Sequence, residues 1–355
     1  MNEARTDSQL AEATKWLLEL CAVEAPSGAE DALLPRLRWL LTELGAEITL
    51  QSVAPGRTNV LATWGVPRVL FSTHLDTVPP YVAPTLHDGA VWGRGACDAR
   101  GQIVAQLFAI RRLIDEGQDG LAWLGVVGEE SDSAGARAAL GLADRFQDAL
   151  ALINGEPTEL KLASGQRGLQ HWCLRCEGRN AHSGSPEEGR SAVLPLLDWI
   201  QALRGLERPS DPELGPEVWN LGLLQAGEAI NVIPAHAEAH VLARTLPGSD
   251  FAARLQALAP ASGHAELRLE EAPDRYPAVD GFEQRPMPFG SDAPTLRALI
   301  PSRTVVLAGP GSIRVAHTED EHLRLEDLEA GIALNRRLAL HFFGRMGGEG
   351  SKRGA

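Results

Sequence analysis

Four short apolar runs, residues 69–73, 121–127, 149–154 and 304–307, constrain the fold more than any other feature of the sequence. Each has the length of a strand, and between and after them apolar residues recur at helical spacing over 101–116, 134–146 and 323–343. This alternation predicts an α/β fold, a mixed sheet flanked by helices on both faces, with ligands gathering at the carboxyl ends of its strands. Polar clusters follow Phe71, Val127 and Ile153, at those ends.

Two helical segments, 10–20 and 31–44, precede the first of these runs. β-rich stretches at 46–53 and 59–63 come next, set off by the turn signals Pro55-Gly56 and Gly65-Val66-Pro67. From about Gly168 the texture changes. A strand over 169–176, a helix over 192–206, a Pro/Asp/Gly-rich segment over 207–215 and a helix over 251–258 read as an inserted α+β domain, before a loop-like stretch at 272–289. With 355 residues the chain exceeds the size at which one core usually stops growing, about 250–300 residues. A discontinuous catalytic domain, 1–167 and 277–355, with an insertion at 168–276, is therefore expected.

Composition removes several functions. The formal net charge is −14, and no basic run is longer than two residues, the short tail Ser351-Lys352-Arg353 included, which argues against a phosphate-tracking surface and makes nucleic acid a poor partner. No stretch approaches the roughly 18 apolar residues needed to cross a bilayer, and Met1-Asn2-Glu3-Ala4-Arg5-Thr6-Asp7 lacks an apolar signal core; a cytoplasmic location without membrane partners is expected. Four cysteines in so long a chain make no disulfide framework. Cys173 and Cys176 form a C-x-x-C without a second pair, and with Trp172, Leu174 and Arg175 beside them they read as structural strand residues.

Acids and imidazoles fall just after the expected strands: His74 and Asp76, Asp98, Glu129 with Glu130, Glu156, and His317 near the end. Imidazole and carboxylate suit borderline-soft divalent ions such as zinc or cobalt, and so many donors suggest more than one ion. Taken singly each has a plain explanation: Asp76 as a turn cap, Glu129 and Glu130 as a solvated loop, His317 as a surface histidine. Taken together they sit in ordered surroundings, Ser72-Thr73-His74-Leu75-Asp76-Thr77, Gly95-Ala96-Cys97-Asp98, Gly128-Glu129-Glu130-Ser131, Gly155-Glu156-Pro157 and Ala316-His317-Thr318-Glu319-Asp320-Glu321.

In this series of motifs the sequence resembles the M20 family of metallopeptidases and deacylases over nearly its whole length. That group includes acetylornithine deacetylase, succinyl-diaminopimelate desuccinylase, carboxypeptidase G and aminoacylase. The resemblance implies a zinc-exopeptidase-like catalytic domain with an inserted lid and dimerisation domain, a homodimer, and two divalent ions. Asp98 would bridge them, His74 and Glu156 completing one site and Glu130 and His317 the other. Asp76 would hydrogen-bond the far nitrogen of His74, and Glu129 would be the general base. Two ions about 3.5–4 Å apart can share a water and lower its pKa, leaving a non-ligating carboxylate to take the proton.

Within the insertion, Gly178-Arg179-Asn180-Ala181-His182-Ser183-Gly184 resembles the family's lid motif, which makes His182 the oxyanion donor. Asn231 and Arg244 match positions that grip substrate, the arginine as a planar fork for an α-carboxylate, and Ser291 lies in a matching loop near the site. Two departures stand out: Leu242 replaces an acidic residue two places before the arginine, and the segment from Tyr276 to Gly290 is shorter than in relatives. The compact chain and the block Gly309-Pro310-Gly311-Ser312-Ile313 look most like the acetylornithine deacetylase branch, giving N-acetylated ornithine, citrulline or lysine as substrates.

A dipeptidase or carboxypeptidase, a succinyl-diaminopimelate desuccinylase, and an inactive metabolite- or peptide-binding relative are the competing expectations. A serine hydrolase elbow, G-x-S-x-G, is absent from the sequence, and Gly93 to Gly95 lacks the third glycine of a dinucleotide fingerprint. The division of labour among the glutamates predicts that Glu129→Gln retains both ions by metal analysis while losing most turnover. Unchanged activity would remove Glu129 from the role of base.

Overall fold

The computed structural model describes residues 2–349, so the basic tail Ser351-Lys352-Arg353 lies outside the described residues. The chain opens with α1 (Asn2–Cys21) and α2 (Leu34–Glu43), then pairs β1 (Glu47–Ala54) with β2 (Arg57–Trp64). Gly56 turns that hairpin at φ +78°, a conformation open to glycine at little cost. β3 (Val69–His74), the short strands β4 (Thr85–His87) and β5 (Ala90–Trp92), α3 (Arg100–Asp115), β6 (Leu121–Val126), α4 (Ala134–Ala139), β7 (Ala151–Asn154) and β8 (Leu162–Gln166) follow. Next come β9 (Leu169–Glu177), β10 (Ala181–His182), α5 (Val193–Arg204), β11 (Ser210–Asp211), β12 (Gly215–Pro216), β13 (Val218–Ala226), β14 (Val232–Ile233), β15 (His236–Arg244), α6 (Phe251–Ala257), β16 (Gly263–Glu271) and β17 (Asp274–Arg275). The chain returns through β18 (Gln284–Met287), α7 (Ala293–Leu296), β19 (Val305–Leu307), β20 (His322–Arg324) and α8 (Leu325–Glu349).

Contacts divide the chain into two compact units, one built from residues up to Ser164, Tyr276–Arg285 and everything from Ser291, the other from Gly165–Arg275 with Pro286–Gly290. The first holds a six-stranded mixed sheet in the order β1-β2-β6-β3-β7-β19. Its first two pairings are antiparallel and the other three parallel. All four apolar runs singled out in the sequence are neighbours in the parallel half, and they are buried along their length because helices cover both faces. One face shares a core with α1, α2, α3 and α8 through Val60, Phe71, Trp123, Ile153 and Val306. α4 and α7 pack on the other.

Helix α3 is buried over most of its length and carries a polar cross-tie. Gln106 donates from Nε2 to the carbonyls of Ser72 (2.9 Å) and Ile153 (3.3 Å) and accepts from Trp123 Nε1 (3.0 Å). One amide thus joins the helix to β3, β7 and β6.

The second unit is a four-stranded antiparallel sheet, β13-β15-β9-β16, with α5 and α6 packed on one face over Trp172, Leu174, Cys176, Ala239, Val241, Trp199 and Phe251. No helix among the described residues is long and apolar enough to cross a membrane.

Three segments differ from the sequence expectation. The helix over 134–146 is α-helical only to Ala139 and tightens into a 3-10 turn at Leu140–Phe146, Gly141 weakening the helix at the junction. Residues 322–324 are extended because they pair with β5, so α8 begins at Leu325. The loop-like stretch at 272–289 contains β17 and β18, whose brevity and neighbouring prolines hide them from pattern reading.

Replacing Gln106 with Leu leaves the buried Trp123 indole N–H without its acceptor. The expected loss is about 1–3 kcal/mol of unfolding free energy in a urea titration, with the midpoint shifted and the slope unchanged.

Candidate metal centre

Each segment that leaves the carboxyl end of a parallel strand brings a donor to the same place. His74 ends β3, Glu129 and Glu130 sit on the turn after β6, and Glu156 follows β7. Asp98 comes from the loop entering α3, and His317 from the segment after β19. His74 Nε2 lies 2.8 Å from Asp98 Oδ1, while His317 Nε2 lies 3.5 Å from Asp98 Oδ2 and 2.8 Å from Glu130 Oε1. The two oxygens of Asp98 therefore face different histidines. His74, Asp98 and Glu156 form one set of potential ion donors and Asp98, Glu130 and His317 another, the ligand atoms within each set all lying within 4.8 Å of one another. A third grouping, His74 with Glu129 and Glu130, overlaps both.

Main-chain donors hold these side chains in place. Asp76 accepts Ser27 Oγ–H at 2.7 Å and the backbone N–H groups of Gly128, Glu129 and Glu130 at 3.1–3.2 Å. It thereby fixes the turn that carries both glutamates. The expected contact with His74 is longer: Nδ1 is 3.1 Å from the carbonyl oxygen of Asp76 and 3.4 Å from its carboxylate. Arg57 grips Asp132 with both terminal nitrogens at 2.8 Å, closing the same turn from its far side.

On the opposite side Glu321 Oε1 accepts from the N–H groups of Gly95 (2.9 Å), Cys97 (3.2 Å) and Asp98 (3.1 Å), and its Oε2 pairs with Arg94 at 2.6 Å. Arg94 also donates to the carbonyl of Thr318 at 3.1 Å. His317 itself has φ +64°, an uncommon conformation for a residue with a Cβ, and these contacts fix the chain on its C-terminal side. In the sequence Glu321 only closes the last motif, and nothing there marks Arg57 or Asp132. Only the Gly-Arg-Gly around Arg94 hinted at a tight approach.

The electrostatics of the group are those of a cation site. Burial pushes the Glu129 and Glu156 carboxyls well above the usual range, and each also feels neighbouring carboxylates, Asp292 among them. Burial also raises Glu130, partly offset by its hydrogen bond with His317. Asp98 goes the other way: burial resists, but hydrogen bonds from His317 and His74 and their charge hold it low. His317 is pushed up to about 10, first by its hydrogen bond with Asp98 and then by Glu130. Buried carboxylates in such excess over imidazoles are costly without a compensating cation. The donor types, N and O with no sulfur, fit zinc or cobalt.

The remaining residues singled out in the sequence divide between the units. Ser291 is buried in the first. In the second, the β10–β14 ribbon sets His182 opposite Val232, and Ser183 N–H donates to the carbonyl of Asn231 at 3.0 Å, so His182 and Asn231 share one ribbon. His182 is exposed, its Nδ1 accepting from Gly184 N–H at 3.0 Å. Arg244 ends β15 opposite Val218, and no carboxylate pairs with it among the described residues.

The sequence profile of peptidase family M20/M25/M40 matches residues 70–341, which contain the full donor set. The chain belongs to this family. It is a hydrolase of the M20 metallopeptidase type. A peptidase M20 domain-containing protein of Schizosaccharomyces pombe is 32% identical to it, over 91% of this chain and 82% of its own length. A probable carboxypeptidase of Aspergillus flavus is 35% identical, over 79% of this chain and 74% of its own. Among solved structures, an M20 family metallo-carboxypeptidase of Sulfolobus solfataricus has the same fold, with a TM-score of 0.76 at 19% identity over 94% of this chain and 99% of that one.

Because Glu321 supports the Asp98 loop through three N–H groups at once, Glu321→Gln weakens metal retention in this M20 chain without touching a proposed ligand. Competition with a chromogenic chelator is expected to show a loss of roughly 10–100-fold in affinity, the range typical of residues that orient metal ligands.

Proposed function

We propose that the chain hydrolyses the amide bond of a small N-acyl amino acid or dipeptide, releasing an amino acid with a free α-carboxylate. One observation carries this reading: Asp98 turns one oxygen to His74 and the other to His317, so that two three-residue donor sets share one carboxylate. His74, Asp98 and Glu156 would hold one divalent ion, and Asp98, Glu130 and His317 a second. Two ions, zinc by preference and cobalt as an alternative, would supply Lewis acidity towards the substrate carbonyl and acidify the attacking water.

The chain's own residues do the rest. Glu129 is outside both ligand sets, which leaves its carboxylate to take the proton from water and pass it to the leaving amine nitrogen. Asp76 holds the backbone of the Glu129-Glu130 turn, which keeps the base aimed. His182 is assigned the developing oxyanion, Asn231 and Arg244 the substrate, and Ser291 a place in the binding loop. Arg244 has no ion pair of its own among the described residues, which leaves its guanidinium available for an α-carboxylate. The inserted residues 168–276 act in this reading as lid and dimerisation domain.

Two substrate classes share this chemistry. The carboxypeptidase relatives support a dipeptide or short peptide cut before its last residue. The block from Gly309 to Ile313 supports an N-acetylated ornithine, citrulline or lysine. Metal-stripped protein reloaded with zinc or cobalt, assayed against acetyl-ornithine, acetyl-citrulline, acetyl-lysine, succinyl-diaminopimelate and simple dipeptides, separates them by kcat/KM. Amide hydrolysis that is lost on stripping and restored on reloading is the expected result. Full metal content with no turnover on any of these would replace the enzyme by a binding protein.

A further inference from the structure

The second unit carries a group of donors that the proposed reaction does not use. They stand on the face of its sheet opposite α5 and α6. Alternation along β9 sends Trp172, Leu174 and Cys176 into the helix-packed core and Cys173 to the other side, so the C-x-x-C of the sequence is split between two faces. Register then sets Cys173 of β9 directly opposite His240 of β15, with Glu238 two residues along on the same face. The potential ligand atoms of Cys173, Glu238 and His240 all lie within 4.8 Å of one another.

The hydrogen bonds around this group join its donors to His171. His240 Nδ1 is 2.9 Å from His171 Nε2, and His240 Nε2 is 2.8 Å from Glu238 Oε1. The imidazole of His240 thus links His171 on one side to the carboxylate of Glu238 on the other. Arg175 occupies the other oxygen of Glu238, which leaves Oε1 directed at His240.

We propose that Cys173, Glu238 and His240 form a second, sulfur-containing site for a borderline-soft divalent ion such as zinc or cobalt, separate from the donors around Asp98. Thiolate, imidazole and carboxylate are the ligand types zinc takes, and three protein ligands leave one position of a tetrahedral ion for water. His171 orients His240 through its far nitrogen, the arrangement in which an outer hydrogen bond fixes the tautomer of a ligating histidine. Burial and the neighbouring Glu238 raise the thiol pKa of Cys173, so ionisation of the sulfur accompanies metal entry and releases a proton. Ligands about 2.0–2.3 Å from a tetrahedral ion stand more than 3 Å apart, so entry replaces the hydrogen bond between His240 and Glu238.

Sulfur separates this site from the first in one experiment. Full-length protein is stripped of metal, saturated with cobalt and examined in the near ultraviolet for thiolate-to-cobalt charge transfer, with total cobalt counted by elemental analysis. The wild type is expected to show the band and three ions per chain. Cys173→Ser and, from the other strand, His240→Gln should each bind two ions, the serine variant without the band. Cys97→Ser, which removes the thiol beside Asp98, and Glu129→Gln should retain the band. No band in the saturated wild type, or a band that survives Cys173→Ser and disappears in Cys97→Ser, overturns the proposal. So does an unchanged ion count in His240→Gln.

Discussion

The carboxylate of Glu321 is the contact on which the candidate centre depends. It is buried and paired with Arg94, and it collects three backbone N–H groups from the segment that delivers Asp98. Breaking a buried pair of this kind leaves an uncompensated charge, so the loop cannot readily drift from the His317 segment. The pairing of β5 with β20 repeats the connection in the main chain. Residues from the two ends of the sequence are thereby kept in one register, although more than 200 positions separate them.

A second clamp acts across the centre. Asp76 and the Arg57–Asp132 fork immobilise the turn after β6, so Glu129 and Glu130 are presented from a rigid backbone rather than a mobile loop. Preorganisation of that sort matters more than the identity of any one acid. A base and a ligand on adjacent residues must point in different directions, and only a fixed turn keeps them apart.

Much of this was legible in the sequence. The four apolar runs became adjacent strands of one sheet because continuous burial permits no other placement, and the polar residues after them came together because parallel strands end on the same side. What escaped has physical reasons. β4 and β5 are three residues each, too short for any period to register. Asp76 faces His74 as the motif suggests, but its oxygens also hold the amides of 128–130, a role that backbone donors leave unmarked in a sequence. Glu321 was read only as the end of a motif, since its partners lie far away along the chain. Cys173 and Cys176 read as structural strand residues, and strand alternation sends them to opposite faces of the sheet.

The two histidines of the centre are unequal in one respect. His74 is 1% exposed and His317 is 47% exposed. An ion held by the outer histidine would meet solvent, competing ligands and other cations directly, whereas the inner histidine is closed off from solvent. Loading and draining would therefore follow an order, with the inner position retaining its occupant longest and the outer one exchanging with whichever metal the surroundings provide.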